Sequence, residues 1–338
     1  MMKTNTKKEQ PRCNDAVASP APGGDRLDVS IIIVNWNTRD MLRDCLASIY
    51  AQTQGLSFEV IVVDNASSDG SAAMVREAFP QAVLIANERN RGFAAANNQA
   101  MVVAKGRYML LLNPDTIVLD GAVQKTVAYA DRRPDIGVVG CQVWENESVI
   151  QRTCARFPSV WSTLVLAAGL CRMFPRSRLL GSERMVGWNR DDERDVEVVS
   201  GMFMLVRREA IDAVGMMDED YFVYAEETDW CYRFWRAGWR CVFTPTARII
   251  HRDGGSKSTE QVSVKMYVQM QKSLLIFQKK RRGVFAWLGV KTVYTVSMIL
   301  RYLCFAGRSL LSRSGPLKRK RDQSLAALKF HLFGIEPK

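Results

Sequence analysis

The chain between residues 28 and 116 alternates continuously apolar segments with segments of helical periodicity. The β-branched run "VSIIIVNWN" (29–37) ends in polar residues, and "RDMLRDCLASIYAQ" (39–52) follows with apolar positions spaced as in a helix. The succession continues with "FEVIVVDNASSDGS" (58–71) as strand and turn, "SAAMVREAF" (71–79) as helix, "AVLIANERNRGFAAANNQAM" (82–101) as strand, loop and helix, and "GRYMLLLNPDT" (106–116) as strand. Apolar strands separated by helices predict an α/β fold, with a mainly parallel sheet covered by helices on both faces.

Three of the predicted strands end in the most polar clusters of the chain. Each cluster alone is ordinary turn and helix-capping chemistry, and Ser67, Ser68 and Asp69 could simply cap the following helix. The carboxyl ends of parallel strands meet at one edge of the sheet, however, and ligands bind there. We therefore predict a binding site at this edge. The clusters are Asn35-Trp36-Asn37, Asp64-Asn65-Ala66-Ser67-Ser68-Asp69 and Asn113-Pro114-Asp115.

The sequence has no glycine-rich phosphate loop. Neither a P-loop nor a G-x-G-x-x-G follows the first strand. A bound nucleotide would thus be held through side chains and a metal ion. A diphosphate is neutralised by a hard cation, which prefers carboxylate oxygen, and Asp115 at a strand end is the natural ligand.

Length and charge narrow the classes of partner. The 338 residues, 47% of them hydrophobic, allow one large domain or two smaller ones. A net charge of +12 attracts nucleic acid, anionic lipid and nucleotide-linked substrates. Nucleic acid is disfavoured because the positive charge is concentrated near the carboxyl terminus and no known RNA- or DNA-binding module is visible. The eight cysteines form no CxxC pair, which predicts buried free thiols in a reducing compartment.

The two ends of the chain differ in composition from its middle. Residues 1–27 are polar, rich in Pro, Gly and Lys, and lack the apolar stretch of a signal peptide, so we predict a disordered tail. Residues 261–338 interleave apolar side chains with cations but contain no run of about eighteen uncharged residues. They predict helices that lie in an anionic membrane surface. Core-packed helices with solvated basic faces are the alternative, and "VWSTLVLAAGLCRMF" (160–174) could likewise touch lipid or belong to the core.

Seven motifs in order give the chain a family likeness. Residues 28–260 resemble the GT-A-fold family 2 glycosyltransferases, especially the bacterial rhamnosyltransferase-like members that build surface polysaccharides. The motifs are "VNWN" (34–37), "VVDNASSDGS" (62–71), "NRGFAAANN" (90–98), "LLNPD" (111–115), "VSGMFMLVRREAI" (199–211), "FVYAEETDWCYRFWRAGW" (222–239) and "IIHRDGGSKS" (249–258).

The resemblance assigns residues to a nucleotide-sugar donor and a divalent cation, Mg²⁺ or Mn²⁺. It implies that Asp115 and His251 hold the cation, although a lone histidine after an apolar strand is more often a packed residue. Asn113 stands where most relatives have the first Asp of D-x-D, and Gly254 and Gly255 would let the backbone approach the phosphates. The implied donor-binding residues are Asn35, Trp36, Asn37, Asp64, Asn65, Asn90, Gly92, Asn97 and Asn113.

The resemblance also implies where the general base lies. Inverting transfer needs a carboxylate that takes the proton of the acceptor hydroxyl. Most relatives have Glu-Asp where this chain has Glu226-Glu227, which gives Glu227 that role, with Asp229 as its rival. On a helix, Glu226, Asp229 and Arg233 would share one face as an ion-pair ladder and leave Glu227 free for chemistry.

Together these features predict an inverting, metal-dependent glycosyltransferase. Its donor would be a nucleotide-diphosphate sugar, with dTDP-rhamnose as the candidate, and its acceptor would be lipid-linked or a polysaccharide. We expect it in the cytoplasm, peripheral on the inner face of the cell membrane. The alternatives are a sugar-nucleotide pyrophosphorylase, although "VNWNTRD" is not that family's basic glycine-rich loop, and a catalytically silent membrane-bound partner of a polysaccharide machine.

Overall fold

A ten-stranded sheet forms the centre of the molecule in the computed structural model, which describes residues 26–146, 149–177, 179–181, 183, 185–252, 263–311 and 315–337. The main strand order is β3-β2-β1-β4-β11-β6-β12-β5, while β7 pairs with β6, β9 pairs with β12, and β8 and β10 form a separate pair. The strands are β1 (Leu27–Asn35), β2 (Phe58–Asp64), β3 (Val83–Ala86), β4 (Gly106–Leu112), β5 (Thr116–Val118), β6 (Ile136–Asn146), β7 (Val149–Ile150), β8 (Cys154–Ala155), β9 (Arg194–Asp195), β10 (Val198–Val199), β11 (Phe203–Arg207) and β12 (Arg240–His251).

Helices cover both faces of this sheet. Alternate residues of β1 point to opposite faces, so Ile31 and Ile33 belong to one buried cluster and Ile32 to another. The first cluster is completed by α1, α2 and α4, and the second by α3, α7 and α8. The helices of this part are α1 (Arg39–Gln52), α2 (Ser71–Ala78), α3 (Phe93–Val103), α4 (Ala122–Asp131), α5 (Val160–Ala167), α6 (Leu170–Met173), α7 (Arg208–Val214) and α8 (Glu226–Arg236).

The half of the sheet around β1 is parallel, as the sequence predicts. β1 pairs in parallel with β2 and β4, and β2 pairs in parallel with β3. The register places Asn35 directly opposite Asp64 at the carboxyl ends of β1 and β2. Two of the polar strand ends are therefore neighbours, and β4 brings the third to the same edge.

The other half of the sheet is mixed. β11 runs antiparallel to both β4 and β6, while β12 is parallel to β6 and antiparallel to β5. The pairing of β5 with β12 sets Thr116 opposite His251. This antiparallel pairing at the edge of the sheet brings Thr116, the residue after Asp115, next to His251.

Three helices form the carboxyl-terminal extension. They are α9 (Ser263–Phe277), α10 (Val284–Leu311) and α11 (Gly315–Phe333), and a π-helical turn at Gln278–Arg282 joins α9 to α10. The 26-residue stretch Val284–Ser309 is long and apolar enough to cross a membrane by length and composition, and only 17% of its most apolar window is buried. Lys291, Arg301 and Arg308 interrupt its uncharged run but leave its mean hydropathy at 1.2 in the most apolar window.

The cysteines of the described chain are free. Cys45, Cys141, Cys154, Cys231 and Cys241 are buried, Cys171 is half-buried and Cys304 is exposed. The predicted absence of a disulfide framework thus holds for these seven, and Cys13 lies outside the described residues. The predicted tail also lies there, except for its last two residues.

Candidate functional site

A cavity of about 470 Å³ opens at the carboxyl edge of β1, β2 and β4. The strand ends form one wall, with Trp36, Asn65 and the Asn113–Asp115 turn. The loop before α8 and the first turn of that helix form a second wall. Met266 of α9 also lines it, so the carboxyl-terminal extension closes part of the mouth.

Asn35 and Asp64 brace the floor of the site rather than line the cavity. Both are buried, and the Asn35 Nδ2 donates to Asp64 Oδ1 over 2.9 Å. The other oxygen of Asp64 accepts the backbone N–H of Ser67 at 3.0 Å. Asn37 adopts a positive φ of 56° and its side-chain oxygen accepts the N–H of Ser68 at 2.7 Å. Of the first cluster, Trp36 is the side chain that reaches the cavity.

A network of amides builds the wall beside these strand ends. Asn65 Nδ2 donates to Asn90 Oδ1 at 3.0 Å and to the carbonyl of Gly92 at 3.1 Å. Asn65, Asn90 and Gly92, three of the predicted donor-binding residues, all line the cavity. Asn97 does not: it is buried and donates to the carbonyl of Phe93 within α3, at 2.9 Å.

Gly92 is required where the two walls meet. Its φ is +85° and its ψ is 174°, a region that is accessible almost only to glycine. A Cβ at this position would lie 2.4 Å from the carbonyl oxygen of Phe222. That same carbonyl accepts the N–H of Phe93 at 2.6 Å, so the glycine lets the strand side contact the loop before α8.

Asp115 and His251 meet in one corner of the cavity. They are 5% and 7% exposed, and His251 Nε2 lies 3.1 Å from Asp115 Oδ1. Nδ1 of the same ring lies 3.1 Å from Gln151 Oε1. If Nδ1 carries the proton that Gln151 accepts, Nε2 presents a lone pair to the carboxylate. Asp115 Oδ1 is buried and has no hydrogen-bond partner.

These two side chains fit a divalent cation. In the tautomer with the proton on Nδ1, the buried Asp115 Oδ1 and the Nε2 lone pair 3.1 Å away would both be satisfied by a positive ion between them. A mixed oxygen and nitrogen donor set suits Mn²⁺ better than Mg²⁺. Within the described ranges no group of three or more His, Cys, Asp or Glu surrounds the corner. Asn113 lines the cavity next to Asp115, and Gly254 and Gly255 lie outside the described residues.

Two adjacent carboxyls face the cavity from the first turn of α8. Glu226 is 4% exposed, and both Glu226 and Glu227 have a buried Oε2 without a hydrogen-bond partner. Burial raises the pKa of the Glu226 carboxyl well above its usual value, and the charge of Glu227 adds to the rise. Burial likewise raises the pKa of Glu227. Such a pair takes up a proton more readily than ordinary surface glutamates do.

Asp229 lies behind this turn and does not line the cavity. It is fully buried, and its carboxylate accepts from Tyr221 Oη at 3.1 Å, Arg233 Nε at 3.0 Å and Arg281 Nε at 2.5 Å. The predicted Asp229–Arg233 pair is confirmed, but Glu226 is not part of it. Glu226 turns into the cavity, so the expected three-member ladder was wrong. The structure offers no access to Asp229 as a base.

Sequence reasoning missed that Glu226 faces the cavity and that Arg281 pairs with Asp229. The available signal for Glu226 was a pair of consecutive acids at the start of a helix, after the left-handed residues Tyr224 and Ala225. Arg281 lies 52 residues beyond Asp229, and no local pattern links them.

The model of the family described as "Glycosyl transferase family 2" matches residues 30–215, more than half of the chain. The chain belongs to this family. It is therefore a glycosyltransferase, and the sheet and helices described above are its GT-A fold. Family membership favours sugar transfer over the pyrophosphorylase alternative.

Alignments with named relatives are longer than the segment that the family model matches. The chain is 27% identical over 253 residues to N-acetylglucosaminyl-diphospho-decaprenol L-rhamnosyltransferase of Mycobacterium tuberculosis, an alignment that covers 69% of this chain and 78% of the relative. It is 27% identical over 256 residues to the O-antigen biosynthesis protein RfbC of Myxococcus xanthus, covering 73% of this chain and 20% of that one.

Two solved structures share the fold. The mannosyltransferase PcManGT from Pyrobaculum calidifontis, in complex with GDP-Man and Mn²⁺, superposes with a TM-score of 0.55 at 18% identity, covering 95% of this chain and 91% of that one. GalNAc-T7 with UDP, GalNAc and Mn²⁺ gives a TM-score of 0.52 at 17% identity, with 76% and 51% covered.

Proposed function

We propose that this glycosyltransferase is an inverting enzyme of cell-surface glycan synthesis that uses a nucleotide-diphosphate sugar and a divalent cation. One observation carries the proposal. Asp115 and His251 line the same cavity as Glu226 and Glu227, and Asp115 Oδ1 and both glutamate Oε2 atoms are buried without a hydrogen-bond partner. A leaving diphosphate needs a cation to neutralise its charge, and an incoming hydroxyl needs a base within the same cavity.

Asp115 and His251 would hold the cation. When bound, the cation neutralises the diphosphate and stabilises the charge that develops on it as a leaving group. The unpaired Oδ1 of Asp115 and the ring nitrogen 3.1 Å away support this assignment. The Mn²⁺ in the two structural neighbours belongs to those proteins and agrees with it.

Glu227 would act as the general base. Its carboxylate takes the proton of the acceptor hydroxyl while that oxygen forms a bond to the anomeric carbon. The bond from the anomeric carbon to the diphosphate oxygen breaks, and the nucleoside diphosphate leaves with that electron pair. The raised pKa of Glu227 increases its affinity for the transferred proton.

The donor side would be the strand-end wall. Trp36, Asn65, Asn90 and Asn113 line it, and we assign them to the base, ribose and sugar of the donor. Gly92 keeps this wall narrow enough to contact the acceptor side. Asn35, Asn37, Asp64 and Asn97 would then act as supports of that wall.

For the substrates, we propose dTDP-rhamnose as donor and a lipid-linked saccharide or polysaccharide as acceptor. The support is the relative from Mycobacterium tuberculosis, whose name specifies an L-rhamnosyltransferase acting on a diphospho-decaprenol-linked sugar.

We place the enzyme at the cytoplasmic face of the membrane, held by the outward stripe of α10. This name denotes exposed, uncharged residues that recur every three or four positions, together with Leu300 beside Ile299: Phe285, Leu288, Thr292, Val296, Ile299, Leu300 and Leu303. At 3.6 residues per turn, Lys291 and Arg301 fall on the other side of the helix. They lie over the rings of Trp287 and Phe305. An apolar face with cations behind it is suited to an anionic bilayer surface.

The test is turnover on a panel of sugar nucleotides, with and without Mg²⁺ or Mn²⁺. We expect one donor to be consumed, cation dependence, and loss of about 100-fold or more in kcat for Glu227→Gln and for Asp115→Ala. Thr228→Val, in the same turn of α8, is the control that retains both carboxyls. Full turnover in both acidic variants would reject the mechanism, and the absence of turnover with every donor would favour the silent-partner alternative.

A further inference from the structure

The buried ion pair between Asp229 and Arg281 joins the catalytic domain to its helical extension. Arg281 lies in the π-helical turn between α9 and α10, and its Nε and Nη2 reach the two carboxylate oxygens of Asp229 at 2.5 and 3.0 Å. Asp229 is 0% exposed and the Arg281 side chain is 24% exposed. Two parallel hydrogen bonds from one guanidinium fix orientation as well as distance.

Asp229 stands in the same helical turn as the two cavity carboxyls. It follows Glu227 by two residues, so the two side chains point to different sides of α8. Arg233 holds Asp229 from within the helix, and its guanidinium also donates to the carbonyls of Val214 and Met216 at 2.7 Å each. Rotation of this turn about the helix axis would therefore break contacts to both arginines.

Other contacts of the extension reach the loop that precedes α8. Ser273 of α9 is fully buried and donates to the carbonyl of Val223 at 2.8 Å. Lys280 pairs with Asp218 at 2.6 Å and with Asp220 at 2.5 Å. The loop needs support, because Tyr224 and Ala225 both have left-handed backbones, at φ +69° and +64°.

We infer that Arg281 is a positioning residue for the transfer reaction: through Asp229 it sets the orientation of the α8 turn that presents Glu227 to the cavity. This inference rests on the proposed function for the role of Glu227. It makes the extension part of the acceptor side of the active site. Arg281 lies in a π-helical turn, whose backbone departs from α-helical geometry at the point where its side chain meets Asp229.

The experiment compares Arg281→Gln with Arg236→Gln in the full-length protein. Both lose one positive charge, but Arg236 is an exposed residue in the last turn of α8. We expect Arg281→Gln to lower kcat by about 10- to 100-fold, since small misplacement of a reacting group has effects of that size. The dissociation constant of the donor should stay within about twofold, because the donor wall lies on the strand ends. Arg236→Gln should change neither.

Two further readouts separate positioning from a general loss of structure. Guanidinium ion added to Arg281→Ala should restore part of kcat, and Arg281→Lys should be intermediate, because lysine keeps the charge without the paired geometry. Amide hydrogen exchange over residues 222–230 should speed up in Arg281→Gln and not in Arg236→Gln. This last measurement needs no substrate, so it tests the inference even if the proposed donor is wrong.

Three results would overturn the inference. One is unchanged kcat in Arg281→Gln, and another is unchanged exchange over residues 222–230. The third is a parallel loss of kcat, donor affinity and melting temperature without rescue by guanidinium, which would make Arg281 a purely structural residue. If Arg281→Gln does not fold, Arg281→Lys carries the same comparison.

Discussion

At the scale of single residues, the site is marked by buried carboxylate oxygens that have no hydrogen-bond partner. Buried polar atoms without partners are uncommon because each costs about 1–3 kcal/mol. Here Asp115 Oδ1, Glu226 Oε2 and Glu227 Oε2 are all unpaired around one cavity, whereas the neighbouring Asn35, Asp64 and Asp229 are hydrogen-bonded. The atoms without partners are therefore available to bind a cation or a proton, whereas the hydrogen-bonded side chains hold the strand ends and α8 in place.

The glutamate pair predicts a pH dependence. A raised carboxyl pKa means that the base becomes protonated earlier as the pH falls, so turnover should decline at a pH above the usual glutamate value of about 4.3. Burial raises the pKa of Glu227, and the more strongly raised Glu226 is already neutral when Glu227 titrates, so Glu226→Gln should leave this decline at the same pH. The kcat profile against pH measures it. A decline that moves to lower pH in Glu226→Gln would show that a charge on Glu226, and not burial, raises the pKa of Glu227.

The same variant has a consequence for stability. A carboxyl whose pKa is raised by folding binds its proton more tightly in the folded state, so the folded state loses stability as the pH rises through that pKa. At neutral pH, Glu226→Gln should therefore melt a few degrees above the parent. Glu77→Gln, at an exposed position of α2, is the control and should melt with the parent. A lower melting temperature in Glu226→Gln would contradict the claim that the buried Glu226 carboxylate destabilises the folded state.

Gly92 permits a separate prediction. Gly92→Ala should destabilise the fold by about 2–4 kcal/mol, because the added Cβ meets the Phe222 carbonyl at 2.4 Å and φ is +85°. Gly238→Ala is the matched control: φ there is +87°, but nothing lies within 4 Å of the added carbon. Chemical denaturation measures both. Equal losses in the two variants would mean that backbone conformation alone matters, and that the contact between the walls does not.

At the scale of elements, prediction from sequence was most successful where local pattern decides structure. The helix expected at 39–52 is α1 at Arg39–Gln52, and the strands β1, β2 and β4 end at the predicted polar clusters. The insertion of β11 between β4 and β6 was outside the reach of pattern, since antiparallel neighbours so distant in sequence are chosen by tertiary packing. The same holds for Arg281 beside Asp229 and for the inward turn of Glu226.

The outward stripe of α10 is an apolar surface that the described part of the chain leaves uncovered. Replacing Leu300 and Leu303 together by Asp should lower binding to anionic vesicles by about tenfold or more, because each leucine side chain withdrawn from an apolar environment costs roughly 1.5–3 kcal/mol. The control is Val102→Asp with Val103→Asp on α3, which are 72% and 47% exposed. Vesicle flotation measures both. If the stripe variant instead changes only a monomer–dimer equilibrium, a second copy of the chain covers the stripe.

At the scale of the whole molecule, charge and hydrophobicity are distributed unequally. The net charge is +12, and α11 begins with exposed cations at Lys318, Arg319 and Lys320. The extension thus joins a basic surface to an apolar one, while the α/β domain carries the cavity. In the extension, Ser273 of α9 contacts the loop before α8 and Arg281 pairs with Asp229 in α8. The extension that carries the apolar stripe therefore also contacts the elements that hold the two cavity carboxyls.

This distribution predicts that salt weakens membrane binding only in part. Raising ionic strength from about 0.05 to about 0.5 M shortens the Debye length to below roughly 5 Å and should reduce binding to anionic vesicles several-fold. Binding that remains should depend on the stripe, and neutral vesicles should show little salt effect. Co-sedimentation across a salt series measures it. Binding that is insensitive to salt and unaffected by vesicle charge would indicate that α10 spans the bilayer.

The pairing of β5 with β12 has a further consequence, for folding. Thr116 and His251 face each other across this edge although they lie far apart in the chain, so the Asp115–His251 corner forms only after that long-range pairing. Pairings of high sequence separation form late, because the closure of long loops must come first. In a refolding experiment, capture of Mn²⁺ should therefore lag behind the return of helical circular dichroism. The time at which Asp115 and His251 capture Mn²⁺ would therefore report when β12 pairs with β5.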